Sequence, residues 1–227
     1  MRMVFVFSMF WSSFVLSLPT TAPAEVAFVS IYEPILKSKG LDLKIETYEE
    51  SDDYYGGASL EDGTFKISVG KNIRNDKNGT LAFVLCHEVG HLLGGAPKKA
   101  SSTWASTEAQ SDFYATSVCL KLLYRKHPEL VKMKVKPVNE VVSGCHIAFG
   151  NGIERRICEY SSQNAFVFFS DVWSYINFAG ISKPTFSVHT PAAVEKNRNY
   201  PSLQCRLEIA FLGALCRDQS CSKPACF

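Results

Sequence analysis

The stretch Thr80–Leu93, TLAFVLCHEVGHLL, constrains this chain more than any other. Leu81, Phe83, Val84, Leu85, Val89, Leu92 and Leu93 cover every face of a helix drawn through it. A helix that is apolar all round is buried. Yet it carries His87, Glu88 and His91, and polar groups in an apolar interior need partners. Residues four apart share a helical face, about 6 Å apart along the axis. Two imidazoles at that spacing can reach one metal ion at roughly 2.0–2.1 Å. His87-Glu88-Val89-Gly90-His91 is therefore an H-E-x-x-H signature. Its glutamate is placed to take a proton from a metal-activated water rather than to bind the metal. Gly94-Gly95 ends the helix, as glycine commonly does.

Two histidines leave a catalytic zinc site one protein ligand short. Six residues beyond His91, where a metzincin would carry its third histidine, stands Pro97. The next segment, Thr107–Asp112 (TEAQSD), offers Glu108 and Asp112, again four apart. Glu108 can be the third ligand. Asp112 can accept the outer N–H of a ligating histidine and so set its tautomer. Ala115 and Thr116 are small enough to let the two helices approach. Cys86 points about 100° away from His87 on the helix, which suits packing or a disulfide rather than ligation.

H-E-x-x-H followed by Glu108 on the next helix resembles the gluzincin metallopeptidases. LCHEVGHLLGGAP and TEAQSDFYA resemble most the HtpX-like and Oma-like (CAAX prenyl-protease) family, in its soluble exported bacterial branch. The resemblance runs over Gly79–Cys119 and weakly over Tyr200–Cys216. That family usually carries its Asp two residues after the ligand Glu; here it comes four after. The resemblance implies an α+β, zincin-like domain with a small antiparallel sheet and a mostly helical remainder. It implies one Zn²⁺ on His87, His91 and Glu108, Glu88 as general base, and a peptide or protein substrate added to a sheet edge as a further strand. Tyr200-Pro201 and Arg206 resemble the family's His-Pro…Arg stretch, with Tyr200 where the family tends to carry His. Tyr200, His189 and Arg206 are the candidates to donate to a tetrahedral oxyanion. Arg206, in an apolar helix, also calls for a carboxylate partner. The alternative is a zinc-bearing but inactive binding or scaffold protein of the same fold.

Met1–Ala24 reads as a secretory signal peptide: Arg2, an apolar run over Val4–Leu18, then Ala22-Pro23-Ala24. Residues 25–227 read as one metallopeptidase domain, exported to the periplasm or beyond. With 46% hydrophobic and 20% charged residues the chain is expected to be globular. A formal charge of +2 without long basic runs argues against a nucleic-acid partner, and no segment after the leader reads as a membrane span. Eight cysteines in an exported chain suggest disulfides. Cys145–Cys158 and Cys221–Cys226 are the simplest local pairs, while Cys205 and Cys216 lie about 16 Å apart if both sit on one helix.

Alternation predicts strands over Leu41–Tyr48 and Thr64–Val69, the latter paired antiparallel with the segment before a Glu61-Asp62-Gly63 turn. Helices are expected over Glu25–Lys39, Ser106–Lys126, Ser161–Phe178 and Ser202–Cys216. Leu130–Phe149 has no clear period. Lys98-Lys99, in the loop between the ligand helices, reads as solvated surface.

Overall fold

Strand β3 (Thr64–Gly70) is the centre of the sheet because Phe65, Ile67 and Val69 form a fully buried stripe. In the computed structural model, which describes residues 22–48, 56–75, 79–132, 136–176, 180, 182–186, 200–217 and 221, it pairs along both edges. Strand β2 (Gly56–Glu61) runs antiparallel to it, with Leu60 opposite Phe65 and Ala58 opposite Ile67. Asp62 and Gly63 both take positive φ, as a tight hairpin turn requires. Strand β1 (Asp42–Tyr48) lies on the other side and is parallel to β3, with Ile45 opposite Ile67. The sheet order is β1-β3-β2, so the sheet is mixed rather than antiparallel. The physical reason is that β3 is the most apolar strand. It takes the protected middle place, which separates β1 from its sequence neighbour β2.

The fold is α+β. Helix α1 (Pro23–Lys37) buries Phe28, Tyr32 and Leu36. The short α2 (Lys71–Asn75) follows β3 and buries Ile73. Helix α3 (Thr80–Leu93) is buried at every position from Thr80 to His91, as its all-round apolar sequence demands. The expected helix after residue 106 is one helical run in three parts: α4 (Glu108–Tyr114), a π-helical turn over Ala115–Cys119, and α5 (Leu120–Lys126). Thr107 caps its start, its hydroxyl accepting from the Gln110 backbone N–H. Residues without a clear period form α6 (Asn139–Phe149). Helix α7 (Ile153–Ile176) begins eight residues before the expected start at Ser161. Helix α8 (Leu203–Leu215) closes the chain over α4 and α7. One main apolar cluster joins α1, β3, α3, α5, α7 and α8 through Phe28, Phe65, Phe83, Leu123, Phe169 and Leu207. Among the described residues no helix is long and apolar enough to cross a membrane. Most of the predicted leader lies outside the described residues; Pro23 and Ala24 already belong to α1.

Cys86 is bonded to Cys119, which ties α3 to the π turn, and Cys145 to Cys158, which ties α6 to α7. The expected Cys221–Cys226 pair is replaced by Cys216–Cys221. Cys216 caps α8, and the chain turns back within five residues to bring the two Cα atoms to 5.7 Å. Cys205 is disulfide-bonded as well.

The Cys86–Cys119 bridge closes 33 residues that include both histidines, Glu108 and Asp112. A loop of that length contributes about 3–4 kcal/mol by restricting the unfolded chain. Replacing both cysteines by alanine is therefore expected to lower unfolding stability by about 2–4 kcal/mol in guanidinium titrations. An unchanged midpoint would show that packing alone holds these helices together.

Candidate metal centre

The residues singled out on α3 and α4 converge at the bottom of a cleft. His87 Nε2 lies 3.2 Å from Glu108 Oε2, and His91 Nε2 lies 3.6 Å from Glu108 Oε1. One ligand atom from each of His87, His91 and Glu108 falls within 4.8 Å of the others. All three residues are buried. Glu88 stands beside them, its Oε2 3.9 Å from His91 Nε2, and is not part of that triad.

The opposite ring nitrogens are held from behind. His87 Nδ1 lies 2.7 Å from Asp112 Oδ1 and donates to it. His91 Nδ1 lies 2.8 Å from both the Ser106 carbonyl oxygen and the Ser111 hydroxyl. With Nδ1–H used in this way, the His91 Nε2 lone pair faces Glu108. That is the tautomer a metal ligand needs. The donor set, two imidazoles and a carboxylate, is one that suits zinc. The residues present therefore fit a divalent ion.

Close backbone approach makes the convergence possible. A Cβ at Gly90, within the H-E-x-x-H signature, would meet the Ser111 carbonyl oxygen at 2.9 Å and its Cα at 3.0 Å. A Cβ at Gly213 would meet Thr116 Oγ1 at 2.3 Å and the Phe113 carbonyl oxygen at 2.8 Å. Glycines on α3 and α8 thus let both helices close on the α4 run. Thr116 and Ala115 are buried there, but it is the glycine opposite that sets the contact on each side.

Arg206, from α8, completes the site. Its Nε donates to Asp112 Oδ2 at 2.7 Å and its Nη2 to Asp112 Oδ1 at 3.1 Å. The same Nη2 lies 3.1 Å from Glu108 Oε2. Asp112 is fully buried, so it joins a histidine of α3 to the arginine of α8. Lys99, expected on the solvated surface, instead reaches inward: its Nζ lies 2.7 Å from Glu108 Oε1. Its neighbour Lys98 stays exposed and donates to the Trp104 carbonyl. No local pattern separates the two lysines.

Of the oxyanion candidates, Arg206 is committed to Asp112 and Glu108. Tyr200 stands at the cleft rim, 58% exposed, with its ring over the Arg206 guanidinium at 5.3 Å. His189 lies outside the described residues.

These neighbours set the charges. Burial alone would push the His87 imidazole down, but the Asp112 carboxylate overrides it and holds the group up at about 10. Burial, reinforced by the His87 charge, pushes His91 down to about 3. Burial lifts the Glu88 carboxyl to about 7. Burial opposes ionisation of Glu108 too, but Arg206 and His87 hold it well below the usual carboxylate range.

The cleft has a volume of about 530 Å³. One wall is β2, the edge strand of the described sheet, at Gly56–Ala58; another is apolar, from Phe168, Val172 and Leu203. A Cβ at Gly56 would meet Val84 Cγ1 at 2.7 Å and Glu88 Oε1 at 2.9 Å. Only glycine lets this strand lie directly over Glu88. Comparison of the chain with family models, curated proteins and solved structures returned no match.

Arg206 is the one buried guanidinium that touches both carboxylates, Asp112 and Glu108, among the described residues. Arg206→Met is expected to destabilise the ion-free protein by about 3–5 kcal/mol, read as a lowered denaturation midpoint. An unchanged midpoint would mean that His87 alone compensates Asp112.

Proposed function

We propose that this protein is an exported zinc-dependent endopeptidase. The observation that carries the reading is the placement of Glu88. It lies beside a three-ligand donor set, its carboxyl lifted to about 7, directly under the outer edge strand of the described sheet. A structural metal site has no use for such a group.

His87 and His91, through Nε2, and Glu108, through its carboxylate, are the residues that would hold Zn²⁺. Bound there, zinc supplies Lewis acidity that polarises the scissile carbonyl and acidifies the attacking water. Glu88 takes the proton from that water at a carboxylate oxygen and passes it to the leaving amine. Asp112 holds the His87 ring in place through Nδ1, and the Ser106 carbonyl does the same for His91. The β2 edge at Gly56–Ala58 offers main-chain donors and acceptors to an extended peptide, which gives affinity with modest side-chain selectivity. Tyr200, at the rim, is the described candidate to donate to the oxyanion. The disulfides support an oxidising compartment, in keeping with export.

Glu88→Gln is expected to retain stoichiometric zinc and to lose about 10²–10⁴-fold in peptide hydrolysis. Equal turnover by both proteins would remove Glu88 from the chemistry. Zinc retained with no hydrolysis by the wild type would favour the scaffold reading.

Zinc affinity should also depend on pH. In the ion-free site His87 is held up at about 10, so its proton must leave when a cation binds. Affinity is predicted to climb by up to about tenfold per unit from roughly pH 6.5 to pH 8.5, with proton release visible in calorimetry across buffers. A flat profile would show His87 already neutral. The same raised pKa stabilises the ion-free fold below pH 6.5, the ordinary value, and that contribution is lost as pH rises through about 10.

A further inference from the structure

Lys99 has a fixed base and a long arm. Its backbone N–H donates to the Ala105 carbonyl at 2.8 Å, and its own carbonyl accepts from the Ser102 N–H at 3.1 Å. Lys98, the preceding residue, forms an isolated bridge with Ser106. The Ser106 N–H in turn donates to the His91 carbonyl at 2.7 Å. The loop is thus clamped at the end of α3, and the Lys99 arm enters the cleft from a set point on the rim. Its side chain is 30% exposed.

Among the described residues, two arginine or lysine side chains line the cleft, Lys99 and Arg206. Arg206 has no freedom: its side chain is 5% exposed and three contacts tie it to Asp112 and Glu108. Among the described residues Lys99 has one ion-pair partner, Glu108 Oε1, and that residue belongs to the candidate ligand triad. A divalent cation on Glu108 would claim the same carboxylate and repel an ammonium 2.7 Å away from it. Lys99 must then swing away on its four-carbon arm, inside a cleft whose other lining carboxylate, among the described residues, is Glu88. If Glu88 is the general base, it must stay free of a permanent ion pair. A carboxylate brought in by the ligand can take the place that Glu108 gives up.

We propose that Lys99 is a specificity residue: it exchanges Glu108 for a carboxylate of the peptide once a cation occupies the site. The inference rests on the peptidase reading. The substrate class it names is a peptide with a carboxylate close to the scissile bond, either an acidic side chain or a free C-terminus. The apolar wall of Phe168, Val172 and Leu203 takes the neighbouring part of the chain.

The test uses zinc-loaded Glu88→Gln protein, titrated with matched short peptides. One series replaces Glu by Gln at each position in turn; the other compares a free C-terminus with its amide. The expected result is about tenfold tighter binding of one carboxylate-bearing member, lost in the Lys99→Met background and kept in Lys99→Arg. A preference in the first series identifies a side-chain carboxylate, and in the second a terminal one. Zinc affinity gives an independent reading without any peptide. Lys99→Met should bind zinc about tenfold more tightly than wild type, because no ion pair has to be released. Equal binding of acid and amide peptides overturns the proposal and leaves the peptidase reading standing. Unchanged or weaker zinc binding by Lys99→Met overturns the exchange. Failure of every peptide to bind, together with no cleavage by the wild type, removes the peptidase reading itself.

Discussion

Asp112 is the hinge of this structure's chemistry. A fully buried carboxylate is tolerated only when its lone pairs are taken up by donors. Here three N–H groups do so, one from His87 on α3 and two from Arg206 on α8. The single acid therefore fixes the relation of α4 to both neighbours. Arg206 then reaches on to Glu108, and Glu108 to both histidines. Remove the central charge and the imidazole and the guanidinium lose the group that links them, leaving Glu108 as their shared partner.

The charges around this acid also say what the site is prepared for. In the ion-free protein, Asp112 and Glu108 face Arg206, the protonated His87 and Lys99. Two of those positive charges are removable. The His87 proton can dissociate, and the Lys99 arm can move. Arg206 cannot lose its charge and is packed between the Phe169 and Tyr200 rings. Loss of one proton and one ammonium leaves a deficit of two charges among imidazole nitrogens and a carboxylate, which is what a divalent ion supplies. His91, held neutral by burial and by the His87 charge, needs no such change.

Packing gives this cluster its precision. Three glycines, Gly56, Gly90 and Gly213, lie where a Cβ would collide with β2's neighbour Glu88, with the α4 backbone or with the π turn. Their absence of side chain is what allows a strand and two helices to close round one point. The Cys86–Cys119 bridge then holds α3 against the π turn. Preorganised groups of this kind lose little entropy when a ligand arrives.

The sequence by itself determined the helix through Thr80–Leu93, its burial, the common face of His87 and His91, and the candidacy of Glu108 and Asp112. All of these follow from a period of 3.6 residues and from the cost of burying polar groups. It also determined the β2–β3 hairpin, because alternation and an Asp-Gly turn are local signals. Only the tertiary structure decided that β1 joins β3 in parallel, since the middle place goes to the most buried strand whatever the chain order. It alone decided that Cys221 pairs with Cys216, which depends on where α8 ends. The inward turn of Lys99 and the outward turn of Lys98 were likewise decided there. Adjacent identical residues differ only in what lies within reach of their side chains, and reach is a property of the folded loop, not of the residue order.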